Sequence, residues 1–220
     1  LAELAERRAR VARAIGAKAV LILFSAEPRV YANDVDYEYR QENNLYYLTQ
    51  LKQKRATLVL LPGNQQTPEI LFIPRRDPLS EVWNGHMYSV EEAAQASGIR
   101  EIWEAREFEP FVQALRNRQA YQPKSENVLM SVSAGVPQVG TSSGFESAFA
   151  AAVKNEAELY MLAPRGNGPS REYVREQGFA ADWAKAPSGF IIKNAGPIFA
   201  DMRLRKSPME LRLLQHAIDI

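Results

Sequence analysis

Apolar residues at Leu1, Leu4, Val11 and Ile15 recur at helical spacing, and Gly16 stands where a helix would close. The spacing predicts an amphipathic first helix in which Arg7, Arg8, Arg10 and Arg13 form a solvated face rather than an anion site. Residues 19–24 and 57–61 are continuous apolar runs of strand length, as buried strands are. Pro62-Gly63-Asn64 marks a turn, and 70–73 supplies a third strand that ends at Pro74-Arg75-Arg76-Asp77-Pro78, so 57–73 is expected to be a hairpin. Ser89-Val90-Glu91-Glu92 has the S-x-x-E form of a capping box, and Gly98 stops a helix over 90–97.

A strand at 101–104, a helix at 109–118 and a strand at 128–132 follow. Residues 133–144 are rich in Ser, Gly and Pro and read as a loop. Helix 148–153 and strand 158–162 come next, then a helix over 170–185 carrying Tyr173, Val174, Phe179 and Trp183, weakened by Gly178. Ser207-Pro208-Met209-Glu210 joins a capping box to a proline in the first turn, and Leu211, Leu214, Ala217 and Ile218 then make an apolar stripe. That stripe runs to the last residues with no closing signal, so this helix is expected to belong to a further domain. Strands alternating with helices at this density point to an α/β layer fold.

Length and composition narrow the rest. With 220 residues and 46% hydrophobic content the chain can bury one large core, read here as one domain plus a short tail. Lys and Arg number 27 against 26 for Asp and Glu, a balance of +1 that offers no field for nucleic acid or an anionic membrane. The absence of cysteine excludes disulfides, thiolate metal sites and a cysteine nucleophile. No stretch nears the roughly 20 apolar residues that span a bilayer, and Leu1-Ala2-Glu3-Leu4 is no signal peptide, so a soluble, cytoplasmic protein is expected. Because the chain opens on Leu rather than Met, an export signal upstream stays open.

Candidate chemistry is sparse. His86 and His216 lie far apart with no ligand-spaced carboxylates beside them, which argues against a metal site. Asp34, Asp36 and Glu38 alternate, so on a strand they would share one face as hard-cation ligands do, but the glycine turn of calcium loops is absent and solvated carboxylates are the plainer reading. Gly135, Gly140 and Gly144 with Thr141, Ser142 and Ser143 fit neither a P-loop nor a dinucleotide fingerprint, and no G-x-S-x-G elbow occurs. What remains is the aromatic and polar run from Tyr37 to Leu48, together with Trp83-Asn84-Gly85. Tyr46, Tyr47 and Leu48 suit a strand or a core. Arg40 among aromatics suits carboxylate binding or loop ordering, and Trp83 before a glycine suits a ring partly exposed at a surface.

Four segments carry a resemblance when taken in order: Asn33-Asp34-Val35-Asp36-Tyr37-Glu38-Tyr39-Arg40-Gln41, Tyr46-Tyr47-Leu48-Thr49, Glu81-Val82-Trp83-Asn84-Gly85, and the run from Met202 to Leu211. They resemble the successive signatures of the aminopeptidase P N-terminal domain and the linker after it, covering 5–115 and 195–220; residues 120–190 match no pattern. Gln50 departs from it where the family usually has glycine, and Leu45 where an aromatic is common.

The resemblance implies a creatinase-like N-terminal fold, a mixed β-sheet flanked by helices on both sides with a ribonuclease H-like motif. It implies a domain over 1–195, then a linker and the first helix of a catalytic pita-bread domain over 196–220. That following domain, outside this chain, would hold a dinuclear metal centre, commonly manganese, that generates hydroxide for cleavage of X-Pro bonds. The present domain would carry no catalytic residue and no metal ligand. Its expected partners are its own catalytic domain, other copies in a dimer or tetramer, and a peptide with proline at the second position. By position, Asp34 and Trp83 match residues that line a neighbouring subunit's substrate site, and Arg40 lies in the loop that shapes it. A prolidase or creatinase-like parent is the first alternative. A stand-alone interaction module is the second, disfavoured because Leu211, Leu214 and Ile218 would stay bare.

Overall fold

The computed structural model describes residues 1–131, 145–164 and 172–219. Helix α1 (Ala2–Ile15), closed by Gly16, leads into β1 (Ala19–Phe24), whose six residues are all buried. A small hairpin, β2 (Val30–Ala32) and β3 (Val35–Asp36), is followed by α2 (Asn43–Thr49), β4 (Thr57–Leu60), β5 (Glu69–Ile73), α3 (Pro78–Asn84) and α4 (Val90–Ser97). Then come β6 (Ile102–Glu104), α5 (Phe108–Arg116), β7 (Val128–Met130), α6 (Glu146–Val153), β8 (Ala157–Met161), α7 (Val174–Trp183), β9 (Phe190–Asn194), α8 (Gly196–Leu204) and α9 (Pro208–Ile218). The glycine-rich loop expected around Gly135, Gly140 and Gly144 lies outside the described residues.

Seven strands form one mixed sheet in the order β7-β6-β5-β4-β1-β8-β9. Strand β1 is an interior strand, next to the central β4. It pairs antiparallel with β4, Leu21 opposite Leu60 and Leu23 opposite Leu58, and parallel with β8, Leu21 opposite Tyr160. The β4–β5 hairpin forms as the 57–73 pattern predicts.

Side chains alternate across the sheet, so the unbroken apolar run of β1 feeds two cores. Val20, Ile22 and Phe24 meet Phe72, Trp103, Phe111 of α5, Ala152 of α6 and Trp183 of α7 on one side. Leu21 and Leu23 meet Val11 of α1, Leu45 and Leu48 of α2, Ala93 of α4 and Phe199 and Met202 of α8 on the other. Each large side chain so enclosed contributes on the order of 1.5–3 kcal/mol. The architecture is the expected mixed α/β sheet with helices on both sides.

Local signals explain the well-placed helices. Both capping boxes form, Ser89 with Glu92 and Ser207 with Glu210. Three expectations are corrected. First, the arginines of α1 do not share a solvated face: Arg10 and Arg13 are exposed, but Arg7 and Arg8 are buried, Arg8 to 2% exposure. Second, residues 46–48 are helical. The Glu42 carboxylate accepts hydrogen bonds from the Asn44 and Leu45 amides, and Leu45 and Leu48 then lie on one buried face. Gln50 closes α2 in the left-handed region at φ 57, a conformation that favours glycine. Third, Asp34, Asp36 and Glu38 share no strand face, because Asp34 sits in the turn after Asn33 (φ 51) and β3 ends at Asp36. The small hairpin and α2, α3, β9 and α8 carry no clear signal in the hydrophobic pattern.

Candidate functional site

Strands β1 and β5 both run antiparallel to β4, so they finish at the same end of the sheet. From that end β1 releases the hairpin that carries Asp34, and β5 releases α3, which carries Trp83. In the hairpin the Tyr31 and Tyr37 rings meet edge-on, 5.1 Å between centres, while both stay exposed. Helix α3 starts on Asp77, whose carboxylate accepts from the Leu79 amide (3.1 Å) and the Ser80 hydroxyl (2.7 Å), and Gly85 (φ 80) ends it. Leu79, Val82 and Trp83 lie bare on it, Trp83 at 88% exposure.

Between these elements Gln41 acts as a hub. Its Oε1 accepts from the Ala26 amide (3.0 Å), the Glu42 amide (2.9 Å) and the Tyr39 hydroxyl (3.0 Å), and its Nε2 donates to the Gln53 carbonyl (2.9 Å). Gln53 Oε1 in turn accepts from the Tyr88 amide (2.8 Å). Lys54 donates from Nζ to the Asn84 carbonyl (3.1 Å), and its ammonium lies 5.7 Å from the centre of the Tyr39 ring. Exposed Arg40 thus lies between two anchored neighbours, and the bonds of Gln41 reach Gln53, next to the Lys54 that holds the end of α3. Asp34 stands apart at the hairpin tip. Burial pushes the Tyr39 hydroxyl up to about 12, so it stays a donor at any physiological pH. Gln41 lies in a segment already singled out in the sequence, whereas Gln53 and Lys54 carry no motif that could have revealed them.

Two neighbouring carboxyls are enclosed to different degrees, Glu176 buried and Glu42 half-buried. Glu42 caps α2, and burial raises its titration point. Glu176 of α7 is pushed up to about 7, chiefly by burial and then by the neighbouring Glu42 and Glu27, with Arg175 opposing. A folded-state value above the ordinary 4.5 means that the unfolded chain loses its proton first, so stability falls as pH climbs from about 4.5 through about 7. Glu176→Gln is therefore expected to leave the urea midpoint near that of the parent at pH 5. At pH 8 it should raise stability by about 1–2 kcal/mol, and equal gains at both pH values would contradict this cause.

Metal-binding groups of three or more His, Asp or Glu do not occur among the described residues. His86 lies between Glu81 (Nδ1 to Oε1, 3.3 Å) and Glu92 (Nε2 to Oε2, 3.3 Å) in ion-pair geometry on the surface. The dinuclear centre that the resemblance implies has no ligand set among the described residues. No helix among them is long and apolar enough to cross a membrane.

Comparison with known proteins settles the family. The model for "Aminopeptidase P, N-terminal domain" matches residues 4–122, over half of the chain. The chain belongs to the aminopeptidase P N-terminal domain family. The Xaa-Pro aminopeptidase of Haemophilus influenzae is 29% identical over 217 residues, covering 98% of this chain and 39% of that protein. Human Xaa-Pro aminopeptidase 3 is 34% identical over 98 residues, 43% of this chain and 19% of that protein. Among solved structures, the low-pH form of aminopeptidase P from Escherichia coli superposes with a TM-score of 0.65 at 19% identity, over 98% of this chain and 41% of that one. Aminopeptidase PepP of Pseudomonas aeruginosa gives the same TM-score over 96% of this chain and 40% of its own. At such identities the structures attest the fold alone. The chain spans about two fifths of the length of the H. influenzae relative. Among aminopeptidase P N-terminal domains, the left-handed Gln50 now has a structural reason: it occupies the helix end where the family resemblance places glycine.

Proposed function

We propose that this chain is the N-terminal, non-catalytic part of a cytoplasmic, metal-dependent Xaa-Pro aminopeptidase, which removes the residue preceding proline from peptide N-termini. The catalytic part, with its dinuclear manganese centre, lies outside these residues. The N-terminal part supports assembly into a dimer or tetramer and offers Asp34, Arg40 and Trp83 to the substrate site of a neighbouring subunit. The names of its relatives support the reaction class.

One observation carries the rest: Trp83 is 88% exposed on a helix whose Leu79 and Val82 are bare as well, so this face contributes nothing to its own core. An indole in that position suits an apolar or proline side chain, and the Asp34 carboxylate suits a peptide ammonium. In the full-length enzyme, Trp83→Ala and Asp34→Asn should each lower kcat/KM on an X-Pro tripeptide about tenfold, mainly through KM, while leaving Tm within about 1 °C. Unchanged kcat/KM in both variants would remove the substrate-site role. Retained activity on X-Pro dipeptides with none on tripeptides would replace the aminopeptidase by a prolidase.

A further inference from the structure

Glu81 ties α3 to the chain on both sides of it. Its Oε2 accepts from Arg76, just before the helix (Nε at 3.1 Å, Nη2 at 3.0 Å), and its Oε1 accepts from the Met87 amide, just after it (2.8 Å). Its backbone carbonyl takes the Gly85 amide at 3.1 Å. Trp83 stands two residues further along the same helix. The next helix, α4, is seated in the core through Ala93 and Ser97, both fully buried.

His86 spans the two helices. Its Nδ1 lies 3.3 Å from Glu81 Oε1 and its Nε2 lies 3.3 Å from Glu92 Oε2 at the start of α4, while its ring packs 5.3 Å from that of Tyr88. Carboxylate oxygens only accept, so an imidazolium with two N–H groups satisfies both contacts. Neutral imidazole has one N–H and turns a lone pair toward one of the oxygens.

Both acceptors are fixed from elsewhere. Glu92 Oε2 accepts from the Ser89 amide at 2.7 Å, and the Met87 amide, then Arg76, hold the Glu81 carboxyl below its usual range. The other charged groups around the joint are Asp77 at the start of α3, Glu91, which takes the Ser89 hydroxyl, and Lys54, which donates to the Asn84 carbonyl. Carboxylates, lysine, arginine and tyrosine ordinarily keep their charge between about pH 5 and 8, and imidazole does not. We propose that His86 is a pH-sensitive positioning residue: as an imidazolium it clasps α3 to the start of α4 and fixes the Trp83 ring, and on losing its proton it releases one carboxylate and loosens α3. Its effect on catalysis rests on the substrate-site reading of Trp83 given above, whereas the clasp itself stands on these contacts.

His86→Ala removes both contacts at a side chain that is 54% exposed, so the core is spared. In the full-length enzyme, KM for an X-Pro tripeptide is measured for variant and parent at the same pH, so that titration of the substrate and of catalytic groups cancels in their ratio. The variant's KM should exceed the parent's about threefold at about pH 5.5, the size of exposed ion pairs, and match it at about pH 8, with kcat unchanged. Deuterium exchange over residues 78–88 of the full-length protein, read by mass spectrometry and corrected for intrinsic exchange, needs no activity. The parent should be protected about threefold more at about pH 5.5 than at about pH 8, and the variant equally at both. A parent that cleaves no X-Pro peptide would remove the peptidase reading and leave the exchange result to decide the clasp. Parent exchange that does not change with pH, a variant whose exchange shifts as the parent's does, or a pH-independent KM ratio in an enzyme that cleaves the tripeptide would each overturn the proposal.

Discussion

Arg8→Ala should destabilise the domain by about 3 kcal/mol, lowering Tm by roughly 6–12 °C for a domain of this size. The guanidinium is 2% exposed and fully engaged. Nε and Nη2 grip the two Glu69 oxygens of β5 at 2.6 and 3.1 Å, and Nη1 donates to the Leu48 and Ser97 carbonyls, each at 2.9 Å. One side chain therefore joins α1, α2, α4 and the sheet. Its removal leaves a carboxylate and two enclosed carbonyls without their donor, and such unpaired groups carry the larger part of the loss. The Glu69 side chain is 27% exposed, so water recovers some of its share and the lower end of the usual range applies. Arg8→Ala combined with Glu69→Gln should recover part of the deficit in urea unfolding. A double variant as unstable as the sum of the singles would show that the pair is not coupled.

Gly189→Ala is expected to cost about 3–5 kcal/mol. Gly189 opens β9 at φ +82, which residues with a Cβ rarely adopt, and a Cβ there would stand 1.9 Å from the Ala152 carbonyl oxygen and 2.5 Å from its carbon. The obstacle is backbone at the end of α6, which cannot turn aside as a side chain does. Strain of about 1–3 kcal/mol from the dihedral and a similar amount from overpacking act together. Gly178 supplies the control, for it lies inside α7 and a Cβ added there would meet nothing within 4 Å. Gly178→Ala should raise stability by about 1 kcal/mol, since the helix then loses less backbone freedom on folding. Similar urea midpoints for the two alanine variants would contradict the close approach of β9 to α6.

The sequence is most readable where structure is decided locally. The apolar run of β1, the Pro62-Gly63-Asn64 turn and the Ser89 and Ser207 boxes depend on residues within a few positions of one another, and all form as expected. Arg8 escapes a local reading because its partners lie 40, 61 and 89 residues away, while its own neighbourhood is that of an ordinary helix surface. Residues 46–48 mislead because tyrosine and leucine suit strands by composition, and the deciding group, the Glu42 carboxylate at the helix start, sits four residues upstream of them. Strand β9 hides behind Pro187-Ser188-Gly189 and holds a single fully enclosed side chain, Phe190. At the candidate site, the exposure of Trp83 is legible in its place before a glycine turn. Its link to the Arg40 loop is not, since it passes through Gln53 and Lys54, whose partners are set by the folded chain.

The interior position of β1, paired on both edges, has a consequence for synthesis. One flank is covered as soon as Leu60 has been made, but the other waits for Ala157, about a hundred residues later, which at ribosomal speed is about 5–20 s. For that interval the most apolar strand of the protein shows a bare backbone edge, an invitation to pair with another nascent chain. Crowded expression should penalise this protein during translation more than after release, and slower initiation or a chaperone engaged near the tunnel exit should raise the yield.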